Sequence, residues 1–382
     1  MKRVALTRAR WLVAGLLLIG LAALAAGRRG SKAGNHPDPH GHRRARHGDA
    51  RRAPRRAGTE RHHAIPPASP WASREACLAA LTHGRAPRAA GKARIGAWNL
   101  HWFPDGRPGD TPSGGADIEW LACAIAWMNV DVLALEEVKR PPRGDEGLAE
   151  LRRALERLTG STFRTVLDTC PLASGQHVGL LYDEQRVKVG PTLTVGALNP
   201  RGDACKDELR PGLSGYFRFP GGLDLSVIAA HLKSGSDPRA IEERARSFGA
   251  FAEAARVASA AARDADVLLL GDMNSMGCAT CAPEVSPSAE LTRADAIFAA
   301  LAPPVARLPA SPACSHHFKS RSTLLDWAAK SDLSELPAGT SVTVSGACGE
   351  LGCEALSAGL AAQAALSDHC PIWLDLDDID RD

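Results

Sequence analysis

Short apolar runs and amphipathic stretches alternate along this chain from about residue 93 to its end. Runs rich in Val, Leu, Ile and Ala, which are typical of buried strands, occur at 93–98, 131–135, 178–182, 187–195, 213–219, 223–230, 266–270, 324–329, 341–344 and 371–376. Helical spacing of apolar residues occurs at 117–129, 146–158, 238–263 and 288–301. Strands in pairs, interspersed with helices, predict a mixed α/β sandwich rather than a simple parallel sheet.

The long helix predicted at 238–263 has a recognisable start. Pro238 suits a first helical position, and either Ser236 or Asp237 would be its N-cap. Residues 71–91 are expected to be a short helical lead-in to a compact domain at 92–378.

The first 70 residues have a different composition. Basic residues precede an apolar stretch at 11–26, and Ala23-Leu24-Ala25 offers a small-x-small cleavage site, so residues 1–27 are interpreted as an export signal. The stretch is short for a membrane span, which needs about 20 apolar residues. An uncleaved anchor is the alternative, because Arg28 and Arg29 would suit its flank.

Residues 28–70 contain almost no large apolar side chains and are predicted to be a disordered linker. The linker could bind metal through its six histidines, although a solvated basic segment that contacts anionic surfaces is the preferred interpretation. These histidines are His36, His40, His42, His47, His62 and His63.

Charge is distributed unevenly along the 382 residues, whose net charge is +3. Residues 1–63 hold 15 Lys and Arg against 3 Asp and Glu, or +12, and the remainder holds 31 against 40, or −9. The sequence therefore does not favour a basic groove across the domain. It implies no protein partner, and its 45% apolar content allows a sizeable core.

Ten cysteines agree with export, because an even count in an exported chain is typical of disulfides. The alternative is a zinc site in which Cys278 and Cys281 are joined by Cys314 and either His316 or His317. An oxidising compartment favours disulfides, whose connectivity cannot be read from sequence.

Five short segments place polar residues at or near the ends of apolar runs, where loops carry function. They contribute Asn99, Glu136, Glu137, His231, Asp272, Asn274, Asp368 and His369. Each has an ordinary structural explanation, such as an ion pair, a turn or a buried histidine. Five such segments in one chain are hard to explain by packing alone.

These residue types suit metal-assisted phosphate chemistry. A carboxylate after a buried strand, such as Glu137, is costly unless it is paired or bound to a cation, and Mg²⁺ or Mn²⁺ prefers oxygen ligands. Glu136 alternates to the opposite face and could be the inward residue instead. Asp272 could orient or deprotonate water, the Asn274 amide could donate to a phosphate oxygen, and His369 could act as a base near neutral pH. Together such groups could activate water for in-line attack.

The motifs that carry these residues resemble those of the endonuclease/exonuclease/phosphatase superfamily, with the deoxyribonuclease-I-like fold, over about 92–378. The matching motifs are Asn99, Glu136-Glu137, His231 with Leu-Lys-Ser, Gly271-Asp272-Met273-Asn274, Leu325-Asp326-Trp327, Ser367-Asp368-His369 and Arg210-Pro211. The resemblance implies a four-layer α/β/β/α sandwich of two packed mixed β-sheets, with the site at one end.

The resemblance also implies roles for individual residues. Glu137 would hold Mg²⁺ or Mn²⁺ with help from Asp368 and Asn99, while Asn274, His231 and Arg210 would contact phosphate. Either Asp272 or His369 would activate water, and Asp326 would support the catalytic histidine. Glu136 departs from the usual Gln. The cysteines after the Gly-Asp-x-Asn turn imply that Cys278 or Cys281 pairs with Cys314, and Cys170 is expected to pair with Cys205.

Members of this superfamily hydrolyse nucleic acids, inositol phosphates and sphingomyelin, so the fold does not decide the substrate. The sequence has no Cys-Asp-Arg segment of the inositol 5-phosphatase type and no long apolar loop for membrane insertion. These features favour an exported nuclease with DNA or RNA as substrate. A phosphomonoesterase or phospholipase C-type hydrolase is the alternative, and a catalytically dead binding module is disfavoured because every expected polar position is filled.

Overall fold

The computed structural model describes residues 65–107, 115–169, 175–199, 201, 209–318, 321–353 and 366–381. The export signal and nearly all of the predicted linker lie outside the described residues, as do Cys170 and Cys205. A membrane-spanning helix, sufficiently long and apolar, is not found in the described ranges.

Helices and strands alternate through the described part of the chain. The helices are α1 (Arg74–His83), α2 (Ile118–Met128), α3 (Arg143–Thr159), α4 (Pro238–Gly249), α5 (Phe251–Ala262), α6 (Pro287–Ala299) and α7 (Gly346–Leu351). The strands are β1 (Lys92–Phe103), β2 (Val132–Lys139), β3 (Phe163–Leu167), β4 (Gln176–Asp183), β5 (Lys188–Val195), β6 (Gly212–Arg218), β7 (Asp224–His231), β8 (Val267–Asp272), β9 (Ala306–Arg307), β10 (Ala310–Ser311), β11 (His316–Phe318), β12 (Arg321–Thr323), β13 (Asp326–Ser331), β14 (Val342–Val344) and β15 (Ile372–Asp377).

Two mixed β-sheets form the centre of the molecule. One has the strand order β10-β14-β15-β1-β2-β4-β3, the other has the order β5-β6-β7-β8-β13-β9, and β11 and β12 form a separate hairpin. The sheets pack on each other through β1, β2 and β4 on one side and β6, β7 and β8 on the other. Helix α3 packs on the first sheet with α2 beside it, and α5 packs on the second. The predicted four-layer α/β/β/α sandwich of two mixed sheets is confirmed.

Two parallel strand pairs bring the polar strand ends together. β1 runs parallel to β2 with Asn99 opposite Glu136, and β7 runs parallel to β8 with His231 opposite Asp272. The carboxyl ends of parallel neighbours meet at one edge of a sheet, so these side chains converge. Gly271 allows the two sheets to approach closely here, because a Cβ at this position would lie only 2.6 Å from Oε1 of Glu136 in the other sheet.

The second strand does not stop at residue 135 as the apolar run suggested. β2 continues to Lys139, with a register shift against β4 between Leu135 and Val138. Glu137 lies within this bulge with a left-handed φ of 60°. The bulge interrupts the alternation of side chains, and as a result Glu136 is buried while Glu137 is half-buried at the cleft.

The single long helix predicted at 238–263 is wrong, because α4 and α5 are separate helices joined at Ala250. Gly249 is a weak helix former, which lowers the cost of a break. The break lets Phe248 and Phe251, whose ring centroids are 6.0 Å apart, both join a buried aromatic cluster with Trp327. The predicted start is confirmed, since Asp237 Oδ1 accepts hydrogen bonds from Arg239 N and Ala240 N.

Four disulfides are present in the described residues. They are Cys77–Cys123, Cys278–Cys281, Cys314–Cys353 and Cys348–Cys370. The expectation that Cys278 or Cys281 pairs with Cys314 is wrong, because these two lie in one tight turn and pair with each other. The cysteines that the structure describes leave no free thiol, so the alternative zinc site has no thiolate ligands.

Candidate active site

A cleft of about 320 Å³ opens at the carboxyl ends of β1, β2, β7 and β8. Most of the residues that the sequence singled out line it, namely Glu137, Arg210, His231, Asp272, Asn274, Asp368 and His369. Asn99 and Asp326 lie behind this lining, and each contacts a residue of the cleft. Residues from five separate motifs therefore share one small volume.

A histidine and a buried aspartate form a hydrogen-bonded pair at the site. His369 Nδ1 lies 2.8 Å from Asp326 Oδ2, which also accepts a hydrogen bond of 2.7 Å from Ser315 Oγ. Burial lowers the pKa of His369, but the charges of Asp326 and Asp272 outweigh it and raise this pKa well above its ordinary value. The ring is therefore held in place with its Nε2 side towards the cleft and favours the protonated form.

Asp272 is the carboxylate that this histidine faces. Its Oδ2 accepts a hydrogen bond of 2.9 Å from Asn99 Nδ2 and lies 3.7 Å from His369 Nε2 and 3.4 Å from His231 Nε2. Its Oδ1 accepts a hydrogen bond from Asn274 N. Burial raises the pKa of Asp272, the charge of His369 opposes this rise and the charge of Asp326 adds to it, and the net pKa is about 7. A carboxyl that titrates near neutrality is suited to accept a proton from water.

Asn99 uses both ends of its amide inside the protein. Nδ2 donates to Asp272, and Oδ1 accepts a hydrogen bond of 3.0 Å from His101 N. Ser367 Oγ donates to the Asn99 carbonyl oxygen at 2.6 Å. These contacts give Asn99 a positioning role for Asp272, and its role as a metal ligand stays a prediction.

Two further carboxylates, Glu137 and Asp368, lie in the cleft. Glu137 Oε2 accepts hydrogen bonds from Trp102 N at 3.1 Å and Gln176 Nε2 at 2.7 Å, while its Oε1 lies 4.0 Å from His231 Nε2. Asp368 Oδ1 lies 2.9 Å from His101 Nδ1.

Asp368 is also faced by His316, whose Nε2 lies 3.6 Å from Asp368 Oδ2. Burial raises the pKa of Asp368, but His101 and His316 outweigh it, so the net pKa lies well below its ordinary value. Asp368 is therefore ionised at neutral pH.

The predicted phosphate-contacting residues are nearly buried. Burial, followed by the charges of Arg210 and His369, lowers the pKa of His231 well below its ordinary value, so its ring is neutral at physiological pH. Asn274 has a left-handed φ of 52°, and its Nδ2 donates to the Leu232 carbonyl oxygen at 3.1 Å. Arg210 Nη2 donates to Gln176 Oε1, so Gln176 links Arg210 to Glu137.

Solved structures share this architecture at low sequence identity. An endonuclease/exonuclease/phosphatase family protein from Leptotrichia buccalis C-1013-b is 14% identical, with 74% of this chain and 99% of that chain covered and a TM-score of 0.50. This chain has the endonuclease/exonuclease/phosphatase fold. The resemblance implied by the sequence motifs is thus confirmed for the fold.

Two other solved structures illustrate the range of proteins that match. The endonuclease/exonuclease/phosphatase from Beutenbergia cavernae DSM 12333 is 18% identical, with 75% of this chain and 71% of that chain covered and a TM-score of 0.49. D. rerio TDP2, complexed with a single-strand DNA product, is 16% identical, with 74% and 98% covered and a TM-score of 0.48. No protein-family model and no curated protein matches the sequence.

The donor set of this endonuclease/exonuclease/phosphatase fold suits a hard divalent cation. Glu137 and Asp368 supply carboxylate oxygens in a cleft that water can enter, which is the chemistry that Mg²⁺ and Mn²⁺ prefer. Histidines and carboxylates also lie close enough to hold an ion together, at His316, Asp368 and His369 and at Asp272, Asp326 and His369. The residues therefore fit the predicted metal class.

Sequence reasoning missed residues that hold the predicted ones. His101 follows Asn99 by two positions, and its left-handed φ of 47° turns it towards Asp368, which no periodicity indicates. His316 was considered only as a zinc ligand because its segment showed no strand pattern. Ser315 and Gln176 gave no signal at all. Each of these residues contacts a carboxyl group that a motif supplied.

Glu136 is the least expected group in this region. It is fully buried, and neither of its carboxylate oxygens has a hydrogen-bond partner among the residues that the structure describes. Burial, and then the charges of Asp326 and Asp272, raise its pKa well above the ordinary value. Glu136 therefore favours its neutral, protonated form, and it lies behind the cleft rather than in its lining.

Proposed function

We propose that this chain is an exported, divalent-metal-dependent phosphoesterase that hydrolyses phosphodiester bonds of DNA or RNA. The observation that carries the proposal is the convergence of the His369–Asp326 pair and Asp272 on a cleft that also holds Glu137 and Asp368. A fold alone does not determine activity, so the argument rests on these groups.

The charges of the cleft support a division of labour. Mg²⁺ or Mn²⁺ held by Glu137 and Asp368 would neutralise charge on the phosphate when bound. Asp272, with a pKa of about 7, accepts the proton of the attacking water. His369, whose pKa is raised, donates a hydrogen bond to a phosphoryl oxygen as negative charge develops there. Asp326 keeps the ring oriented through Nδ1.

Three nearly buried residues would hold the phosphate. Arg210 brings a positive charge to the cleft, and neutral His231 and Asn274 add donors without adding charge. Donors that the fold holds in place need not reorient during the reaction, so they stabilise developing charge more strongly than donors in bulk solvent. This arrangement supports the role of all three in substrate binding.

A second candidate function is hydrolysis of a small or lipid phosphate. The cleft volume of about 320 Å³ is at the lower end for small-molecule sites, which span roughly 300–1,000 Å³. Residues 64–382 carry a net charge of −9, which gives little long-range attraction to a polyanion. These observations favour a phosphomonoesterase or a phospholipase C-type enzyme as the alternative.

Export is supported by the cysteines. Four disulfides in the described residues fit an oxidising compartment. The basic segment at 28–70 would then keep anionic polymers near the enzyme.

The test is hydrolysis by the purified chain of plasmid DNA, RNA, sphingomyelin and inositol phosphates, each with Mg²⁺ or Mn²⁺ and each repeated with chelator. His369→Ala should abolish turnover without unfolding the protein. His317→Ala is the matched control, because His317 Nδ1 contacts Ser322 Oγ and the residue does not line the cleft. Chelator-sensitive cleavage of nucleic acid supports the nuclease proposal. Cleavage of a small or lipid phosphate alone moves the function to the second candidate, and full activity in His369→Ala refutes the site.

A further inference from the structure

We infer that His316, Asp368 and His369 form a binding site for a transition-metal ion of the zinc class, and that an ion bound there inhibits hydrolysis. The binding part stands on the geometry alone. The inhibition part rests on the proposed function, because Asp368 and His369 would belong to both sites.

The three side chains already have the spacing of metal ligands. One nitrogen from each ring and one oxygen of Asp368 lie within 4.8 Å of one another. His316 Nε2 is 3.6 Å from Asp368 Oδ2, and tetrahedral zinc with bonds of about 2.0–2.2 Å separates its ligands by roughly 3.4 Å. Two histidines with one carboxylate and an open position is a recurring zinc ligand set.

The groups behind the ligands are also those that metal sites use. His369 Nδ1 is taken by Asp326, which leaves Nε2 for a ligand bond. A ligating histidine typically donates its other ring N–H to a carboxylate or carbonyl in this way. His101 Nδ1 contacts the second oxygen of Asp368 at 2.9 Å and so orients that carboxylate.

The backbone holds the two histidines together before any ion arrives. His316 and His369 face each other in an antiparallel bridge, with ring centroids 4.5 Å apart. Cys370 N donates to the Ser315 carbonyl oxygen at 2.7 Å, and His317 N donates to the Asp368 carbonyl oxygen at 3.2 Å.

Two disulfides stand beside the same histidines. Cys314, two residues before His316, is bonded to Cys353, and Cys370, directly after His369, is bonded to Cys348. These cysteines therefore cannot ligate the ion themselves, and they restrain the segments that can. A site fixed in this manner loses little freedom when it binds.

Ligand chemistry separates this site from the one for the hydrolytic cation. Imidazole nitrogen suits zinc, copper, iron and nickel, whereas magnesium prefers carboxylate oxygen and water. Magnesium would therefore be coordinated by the carboxylates and not by His316. A zinc ion would occupy His369 Nε2 and Asp368, which removes the proposed hydrogen-bond donor and a magnesium ligand together.

Zinc binding to the full-length chain should be measured by equilibrium dialysis with zinc chloride alone. His316→Gln is the test variant, and His317→Gln is the matched control on the next residue. The linker histidines, as well as any other surface site, contribute equally to all three proteins. His316→Gln should lose one bound ion per chain, or weaken that ion at least about 10-fold, the lower range for loss of a supporting residue. His317→Gln should match the unsubstituted chain.

Equal binding by His316→Gln and the unsubstituted chain would overturn the site, whether or not the protein hydrolyses anything. The unsubstituted protein gives a second measurement that does not depend on a variant. Anomalous density from a zinc-soaked crystal should lie about 2.0–2.1 Å from a ring nitrogen of His316. An ion found only elsewhere contradicts the proposal.

Inhibition is tested separately on whichever phosphoester the enzyme cleaves with magnesium. Added zinc should lower the rate of the unsubstituted chain, and the concentration that halves the rate should rise at least about 10-fold in His316→Gln. Zinc that binds at His316 but supports or does not affect hydrolysis would retain the site and refute its inhibitory role.

Discussion

Asp272 is the side chain that connects the polar groups of the cleft to one another. It contacts Asn274, which is its neighbour in the sequence, and three residues from distant segments. These three are Asn99, His231 and His369. Its pKa of about 7 results from burial among other carboxyls, which is a property of the assembled site. The chemistry of this residue therefore depends on the neighbours that the fold supplies.

Asp326→Asn should separate the orientation of His369 from its charge. The amide can still contact Nδ1, but the negative charge that raises the pKa of His369 is gone. We expect kcat to fall by about 10²–10⁴-fold, the usual contribution of a positioned acid or base. Because protonated His369 is the active donor, the alkaline limb of the kcat–pH profile should move to lower pH.

The control for this substitution is Asp295→Asn, which removes an exposed carboxylate that pairs with Arg307. It should leave both the rate and the profile unchanged. A profile of Asp326→Asn that coincides with that of the unsubstituted enzyme would show that Asp326 does not govern His369.

Glu136→Gln should stabilise the protein at high pH. The pKa of Glu136 is higher in the folded chain than in the unfolded chain, so stability is lost as pH rises from the ordinary Glu range through the raised value. Gln has no charge to bury, and we expect a gain of about 1–3 kcal/mol at pH 8 that shrinks towards pH 4. Denaturant unfolding with chelator present measures both values.

Glu284→Gln is the matched control, since Glu284 is exposed. Its stability should follow that of the unsubstituted chain at every pH. A constant difference between Glu136→Gln and the parent from pH 4 to pH 8 would contradict the assigned cause.

Some residues of the candidate site could be predicted from the sequence, and others could not. Glu137, His231 and Asp272 were found because they follow apolar runs that predicted buried strands. His369 was found because its imidazole stands beside the carboxylate of Asp368 in the sequence. His316 was missed as a cleft residue because its position depends on a three-residue strand without periodicity. The burial of Glu136 could not be decided in advance, because a bulge and the left-handed Glu137 determine which face each carboxylate takes.

At the level of elements, α4 controls the loop that follows β7. Arg244 is fully buried on this helix and forms a bidentate pair with Glu290 of α6 at 2.6 and 3.0 Å. Its Nη1 also donates to the carbonyl oxygens of Lys233 and Gly235, just beyond His231. A helix outside the cleft therefore fixes the chain that leaves a cleft residue.

Arg244→Ala should be severely destabilising. It leaves Glu290 buried without its partner and frees the carbonyl groups of the loop, and breaking one side of a buried ion pair costs about 3–5 kcal/mol. Arg246→Ala on the same helix is the control, because its contact with Glu242 is 3.9 Å long and exposed. Urea unfolding should separate the two variants clearly, and equal losses would contradict the proposed function of Arg244.

Some helices and strands could be predicted from the sequence, and others could not. Buried central strands such as β2, β7 and β8 were predicted because each is a continuous apolar run. β3 was missed since only Phe163 is buried in this edge strand. The break between α4 and α5 was missed because the apolar spacing continues across Ala250. Such a break is favoured by aromatic packing with Trp327, which comes from a distant part of the chain.

On the scale of the whole molecule, the sequence predicts the distribution of charge directly but does not predict how the cysteines pair. The number of cysteines indicated disulfides, but the pairing of Cys314 with Cys353 depends on a Cα separation of 5.6 Å that only the fold creates. Charge is additive along the chain and could be read directly. Residues 1–63 carry a net charge of +12 and residues 64–382 carry −9. This distribution predicts which part of the chain binds a polyanion.

Binding to long DNA should therefore depend on salt mainly through residues 1–63. Each phosphate contact contributes about −0.9 to the slope of log affinity against log salt, so a full-length chain that uses several tail arginines should give a slope of about −3 or steeper. A chain that begins at residue 64 should give a nearly flat response, because its net charge is negative. Fluorescence anisotropy with a labelled duplex at several salt concentrations measures both slopes.

Hydrolysis of a small phosphodiester is the control and should vary little with salt in either chain. Equal slopes for the two chains on DNA would mean that phosphate contacts come from the folded part, and the tail would then have no part in substrate capture.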